Sequence, residues 1–313
     1  MKALKTIFLL IVCIFLSNHS FSQYYYFNDK YYNTDLLYEF GIGVGAMNSI
    51  TDIGGANTDN TTYLNEINKK NNRFSKSIYA GVLYQGLLGA RIEGTLGEVR
   101  SDDSSITGKS NNIYSKHVRN LSFRSKIAEV SLLLEFHPFL LLDFQLAPNV
   151  SPYVLTGLGW YHFNPQAELK GKWMNLQPLH TEGQGFLEYP DRQPYALSQF
   201  NIPMGVGLKF ESGLFNVRVE YVHRRLFTDY LDDASTKVYI RPDLFAKYLP
   251  PADAANARAL FNRTKDGSIP IYRGHSKNND AFMTLSVKVG VVLGRERTGN
   301  STGTRQLRCA FKF

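Results

Sequence analysis

The chain has 313 residues, with 35 Lys and Arg against 27 Asp and Glu, a formal charge of +8, and no shift in composition that would mark a linker. Aromatic residues make up 13%, yet mean hydropathy is -0.24, a combination expected where only alternate residues of each segment are apolar. The basic balance does not point to nucleic acid, because no Lys/Arg cluster sits on a helical pattern or beside an aromatic platform; contact with anionic outer-membrane lipid or glycolipid is the simpler expectation.

The N-terminus reads as an export signal. Lys2 and Lys5 precede an apolar core from Ile7 to Leu16 that is too short to span a bilayer, and Ser20 and Ser22 place cleavage before Gln23. Cys13 lies inside that core after Val12, which argues against a lipoprotein signal. Cleavage would leave Cys309 alone, excluding an internal disulfide and a cysteine-based zinc site. No cofactor is expected.

Residues 23–35, QYYYFNDKYYNTD, form a Tyr-rich lead-in. The first strand is expected at Leu36 to Ala46, with Leu36, Tyr38, Phe40, Ile42, Val44 and Ala46 on one face and Glu39, Gly41, Gly43 and Gly45 on the other. Asn48 to Arg73 reads as a long polar loop. A second strand near Ser77–Tyr84 turns at Gln85–Gly86 into a third near Leu88–Glu98, where Ala90, Ile92, Gly94 and Leu96 alternate with Arg91, Glu93 and Thr95. After a polar loop, the fourth strand sets Ala128, Val130, Leu132, Leu134 and Phe136 against Ile127, Glu129, Ser131, Leu133 and Glu135. The connection from His137 to Pro152 is unusually apolar at Phe139, Leu140, Leu141 and Leu142.

The fifth strand lies near Tyr153–Phe163 with an ambiguous phase, and a long loop follows it. Gln199 to Phe210 has the clearest alternation: Phe200, Ile202, Met204, Val206, Leu208 and Phe210 on one face, with Gln199, Asn201, Pro203, Gly205, Gly207 and Lys209 between them. Glu211–Gly213 separates it from a strand in which Phe215, Val217, Val219 and Tyr221 alternate with Asn216, Arg218 and Glu220. The longest loop, Leu226 to Asn279, is expected to hold a short helix around Ala252–Phe261, after Pro250–Pro251. The last strand, Phe282 to Leu293, alternates Met283, Leu285, Val287, Val289 and Val291 with Thr284, Ser286, Lys288 and Gly290; residues 295–313 form a basic tail.

Eight strands whose connections alternate long and short point to an all-β fold, an eight-stranded antiparallel transmembrane β-barrel of outer-membrane type over residues 36–294 with long extracellular loops. A soluble sandwich would show similar alternation but has no reason to segregate long loops to one end. In the barrel, Phe200, Ile202, Met204, Val206 and Leu208 face lipid. Glu39, Arg91, Glu93, Glu129, Glu135, Arg218, Glu220 and Lys288 then point into the lumen. Their mixed signs favour a salt-bridged plug over an ion pathway, which would line up one sign of charge. Rim catalysis would draw on His180, His223, Asp229, Asp232, Asp233 and His275. The run Thr228–Asp233 has the carboxylates of a hard-cation site but not the spacing or glycine of a calcium loop, so a solvated loop is expected there. No G-x-S-x-G, H-E-x-x-H or P-loop occurs, and no enzyme activity is expected.

Six blocks carry a resemblance: NLSFRSKIAEVSLLLEFHP (120–138), SPYVLTGLGWYHFNPQA (151–167), LQPLHTEGQG (176–185), PYALSQFNIPMGVGLKF (194–210), LFTDYLDD (226–233) and RGHSKNNDAF (273–282). In this order they resemble the PorG-like outer-membrane barrels of Bacteroidota, associated with the type IX secretion system. The resemblance implies a non-enzymatic barrel that ties a periplasmic PorK/PorN ring to the outer membrane, in machinery that exports proteins and in some species serves gliding. The chain departs from that pattern in its long final loop and in residues 295–313. On topology a periplasmic ring would meet the short-turn end, where Phe139–Leu142 either binds it or dips into the inner leaflet. The family motifs fall instead in what read as outward loops, at Asn164, Pro165 and Gln166, at Thr181, Glu182 and Gly183, and at Asp229, Asp232 and Asp233. Those loops either cap the barrel mouth or engage an outer partner.

Overall fold

The computed structural model describes residues 36–54, 69–105, 116–138, 150–212, 214–264, 267–270, 272–274 and 279–293. The signal, the lead-in, the basic tail, Phe139–Leu142 and His275 lie outside the described residues.

Among the described residues nine strands form one antiparallel sheet: β1 (Leu36–Ile50), β2 (Arg73–Tyr84), β3 (Leu88–Asp102), β4 (Ser122–Phe136), β5 (Val150–Leu169), β6 (Lys172–Asn175), β7 (Ser198–Ser212), β8 (Phe215–Leu226) and β9 (Ala281–Leu293). Eight of them close into a ring. β1 pairs with both β2 and β9, and β4 pairs with β5, so each of these eight has a neighbour on both sides through its middle. The short β6 pairs only with the outer end of β5, beyond the place where β7 has ended.

The exterior of the staves is apolar and exposed while charged and polar side chains are buried in the interior, the inverse of a water-soluble sandwich. Ile42 is 67% exposed and Ile78 65%, whereas Glu39 is 3% exposed and Glu220 0%. That arrangement is stable only with hydrocarbon around the staves. Of the expected lipid-facing residues, Phe200, Met204, Val206 and Leu208 are exposed and Ile202 is half-buried on the same outward face. The phase of β5 places Tyr153, Leu155, Gly159, Tyr161 and Phe163 inward and Val154, Thr156, Leu158 and Trp160 outward.

Two sequence expectations are corrected here. Asn164, Pro165 and Gln166 are not in a loop; they continue β5, paired with Lys126, Ser125 and Arg124 of β4. A polar stretch containing proline reads as a loop, but above the bilayer the outward face of a strand meets water and is polar. Pro165 tolerates the strand because β7 is no longer beside it to need its missing N–H, while its carbonyl accepts from Leu176 N–H. The run Thr228–Asp233 is not solvated, because all but the half-buried Tyr230 are buried.

The long outer connection after β8 carries α1 (Leu244–Tyr248) and α2 (Pro251–Phe261). Pro251 takes the first turn of α2, where no N–H partner is needed, and Ala254 N–H bonds the Pro250 carbonyl. Ala254, Ala257, Leu260 and Phe261 form its buried stripe against Leu176, Leu179, Phe186, Ile240 and Phe245. These residues make a second core above the barrel.

Candidate functional site

Going up the barrel axis, the interior changes chemistry in layers. At the short-turn end Leu37, Leu83 and Val292 pack together. The strand periodicity then turns alternate residues of the staves inward, where four cations, Arg91, Lys209, Arg218 and Lys288, meet four carboxylates, Glu39, Glu93, Glu135 and Glu220. Arg91 forks onto Glu220 at 2.7 and 3.0 Å and reaches Glu135 at 3.0 Å and Glu93 at 3.2 Å. Lys288 bridges Glu93 and Glu220, both at 2.6 Å. Arg218 joins Glu135 at 2.9 Å and also Glu39, which Lys209 grips from the other side.

The rings of Tyr79 and Tyr153 flank Arg218, with the Tyr153 hydroxyl on Glu220 and the Tyr79 hydroxyl donating to Asn216 at 3.1 Å. Gly41 and Gly290 leave the room the Tyr79 ring takes, since a Cβ at either would overlap it. Each of these charges is desolvated, so each requires its partners; the alternating signs cancel within the network. Higher up, Glu129 takes 2.6 Å from Arg224 and 2.8 Å from Asn201.

Every lumenal charge named from the sequence is buried within this layer. Two members were missed, Lys209 and Arg224. Both have the inward parity of their strands, Lys209 with Gly205 and Gly207 and Arg224 with Arg218 and Glu220. Extending the alternation past Tyr221 would have found Arg224.

Above the charges, Met47, Val99, Phe123, Ile127, Tyr161, Phe163, Leu226 and Phe282 fill the lumen with apolar bulk. The outer loops then close over it. Thr181, Glu182, Asp232 and Asp233 are buried in this closure. Glu182 accepts from Arg273 at 3.0 Å and from the backbone N–H groups of Ser235 and Thr236. Asp233 accepts from Thr181 and, at 2.7 Å, from the Tyr195 hydroxyl, while Arg273 also donates to Thr181 at 2.8 Å. Arg119 clamps Asp103 at 2.8 Å and donates to the carbonyls of Asp52 and Arg273. Gly183 turns the chain at φ 74°, a left-handed conformation that favours glycine. Four of the resembling blocks, 176–185, 194–210, 226–233 and 273–282, therefore meet at one buried knot.

Beside the knot, Asp52, Asp229, Asp232 and Asp280 share a buried region. Burial, with Asp52 and Asp232 near, pushes the Asp229 carboxyl up to about 9. Burial, then Asp52, takes Asp232 up to about 8 against the Ile53 and Ala234 N–H groups it accepts from, and Asp280 is raised by burial and the same neighbours. Burial likewise moves Glu182 up to about 7 despite Arg273. Part of this cluster therefore carries protons at neutral pH. Among the described residues no group of three or more His, Cys, Asp or Glu is arranged to hold a metal ion.

Among the described residues the two rim histidines proposed for catalysis are not brought together. His180 is half-buried beside Phe186 and near Asp233, whereas His223 lies on the outward side of β8 beside Met204 and Met283.

Comparisons with solved structures return outer-membrane barrels at low identity. Neisserial surface protein A is similar at 10% identity and a TM-score of 0.35, covering 82% of this chain and 96% of that one. A major outer membrane protein from Thermus thermophilus is similar at 13% identity and a TM-score of 0.35, covering 82% and 99%. Ail of Yersinia pestis, in complex with the heparin analogue sucrose octasulfate, is similar at 12% identity and a TM-score of 0.32, covering 82% and 98%. No curated protein matches the sequence. A family model matches residues 18–240, so the chain belongs to the family described as domain of unknown function DUF6089.

Proposed function

We propose that this chain is a non-enzymatic barrel of the cell outer membrane, exported through a signal that ends near Ser22–Gln23, and that it works as a structural component of type IX secretion machinery. In this role it ties a periplasmic ring of PorK/PorN type to the membrane. The observation that carries the reading is the filled interior. A barrel whose lumen holds eight interlocked charges beneath an apolar layer works through its surfaces. The resemblance of the six sequence blocks to PorG-like barrels supports the choice of machinery. The short-turn end faces the periplasm in this orientation, and the connection carrying Phe139, Leu140, Leu141 and Leu142 is the expected ring contact.

Deletion of the gene is the direct test, read as export of proteins that depend on the type IX pathway, together with pull-down of ring proteins from detergent-solubilised outer membrane. Loss of export and recovery of the ring proteins are expected; normal export in the deletion strain would remove the proposal. Planar-bilayer recording separates it from a small-solute or lipid-handling barrel, since the filled lumen should pass no measurable current.

A further inference from the structure

We propose that Arg100, Arg124, Lys126 and Trp173, on the outward face of the outer rim, form a binding site for the phosphate of an outer-leaflet lipid headgroup. Their direction follows from parity. Val99, Phe123 and Ser125 are buried in the interior, so Arg100, Arg124 and Lys126 project away from the axis.

Their height follows from the strands. Going outward, the exposed face of β3 reads Leu88, Ala90, Ile92, Gly94 and Leu96 before Glu98 and Arg100. That of β4 reads Leu134, Leu132, Val130 and Ala128 before Lys126 and Arg124, and β5 changes after Trp160 to His162, Asn164 and Gln166. On β4 the cations thus begin two residues past the last apolar position. At a rise of ~3.3 Å per residue and a tilt of ~40°, Lys126 stands ~5 Å and Arg124 ~10 Å above the hydrocarbon edge. A headgroup layer is ~5–8 Å deep on each side, so Lys126 stands inside it and Arg124 just above it, where its long side chain meets the outer boundary.

The pairing is unusual for a surface at rest. Arg100 and Arg124 sit directly opposite each other across β3 and β4, a like-charge arrangement that costs stability. Among the described residues neither has a carboxylate within 4.0 Å. They share the indole of Trp173 instead, with the Arg124 guanidinium carbon 3.9 Å and that of Arg100 5.7 Å from the ring. Arg124 Nε donates to Gln166 at 3.0 Å, which fixes the fork and leaves its two terminal nitrogens for an incoming anion. Two guanidinium planes held against one aromatic ring suit the oxygens of a phosphate, and their sideways aim suits a neighbour in the membrane rather than a ligand from above.

Native mass spectrometry of the full chain released from detergent micelles tests this, with diphosphorylated lipid A as probe. Retention of the lipid is expected, falling about tenfold in an Arg100→Gln/Arg124→Gln variant. An Arg225→Gln control on the outward side of β8 should leave it unchanged, as heat-modifiable gel mobility confirms folding. The Arg100→Lys/Arg124→Lys variant keeps the charge but loses the forks, so it should bind more weakly than wild type. Equal retention by wild type and the double Gln variant, equal retention of dephosphorylated lipid A, or full displacement by inorganic phosphate would each overturn the site. None of these readouts depends on the secretion role.

Discussion

Arg273 and Glu182 show how much one residue of the cap is asked to do. The guanidinium is 3.0 Å from the carboxylate and also holds Thr181, so Arg273→Ala strands a buried negative charge. Removing one partner of a buried pair costs about 3–5 kcal/mol, read as a lowered urea midpoint of the refolded protein. Without Arg273 the Glu182 carboxyl, already raised to about 7 by burial, rises further, so the loss should be largest at alkaline pH and shrink as pH falls and the carboxyl takes up a proton. The aspartates beside it give wild type its own pH dependence. Asp229 at about 9 and Asp232 at about 8 in the folded protein lie above the ~3.9 of an unfolded aspartate, so the folded state binds more protons between those limits. Their contribution is complete below about pH 4 and is lost as pH rises through 8 and 9, at up to about 1.4 kcal/mol per pH unit for each excess proton. The urea midpoint should fall between pH 6 and pH 9.5, and Asp229→Asn should flatten that fall.

A single stave meets three solvents, as β4 shows. At its outer end Lys126 stands at headgroup level and Arg124 at its outer boundary, in its middle Val130 and Leu132 meet hydrocarbon, and Glu129 and Glu135 enter the filled lumen from the alternate positions. Leu132→Arg puts a charge near mid-depth and should cost about 2–4 kcal/mol in a lipid-refolding titration. The same residue type at position 124 is native because the strand has left the hydrocarbon there. Turns follow an equally local rule. Gly183 sits at φ 74°, so Gly183→Ala should lower cap stability by about 1–2 kcal/mol, visible as faster protease cleavage of the outer loops while the barrel keeps its heat-modifiable mobility.

At the scale of the described residues the barrel is stoppered twice, by ion pairs and by the apolar layer and cap above them. Replacing Arg218 alone leaves the upper stopper in place, so Arg218→Ala should destabilise without producing current in a planar bilayer. A conducting Arg218→Ala protein would show that the charge layer is the sole seal. The sequence by itself determined the barrel, the strand phases other than those of β2 and β5, and the sign of nearly every lumenal charge, because a period of two is a local property that survives without knowing the partner strand. It also located the blocks that build the cap. Only the tertiary structure decided which charges meet, that Asn164–Gln166 extend a strand, and that Asp229, Asp232 and Asp233 are sealed from water. Those facts come from loops distant in the chain closing on one another. Nothing in a run of polar residues distinguishes a solvated loop from one whose partners arrive from two other connections.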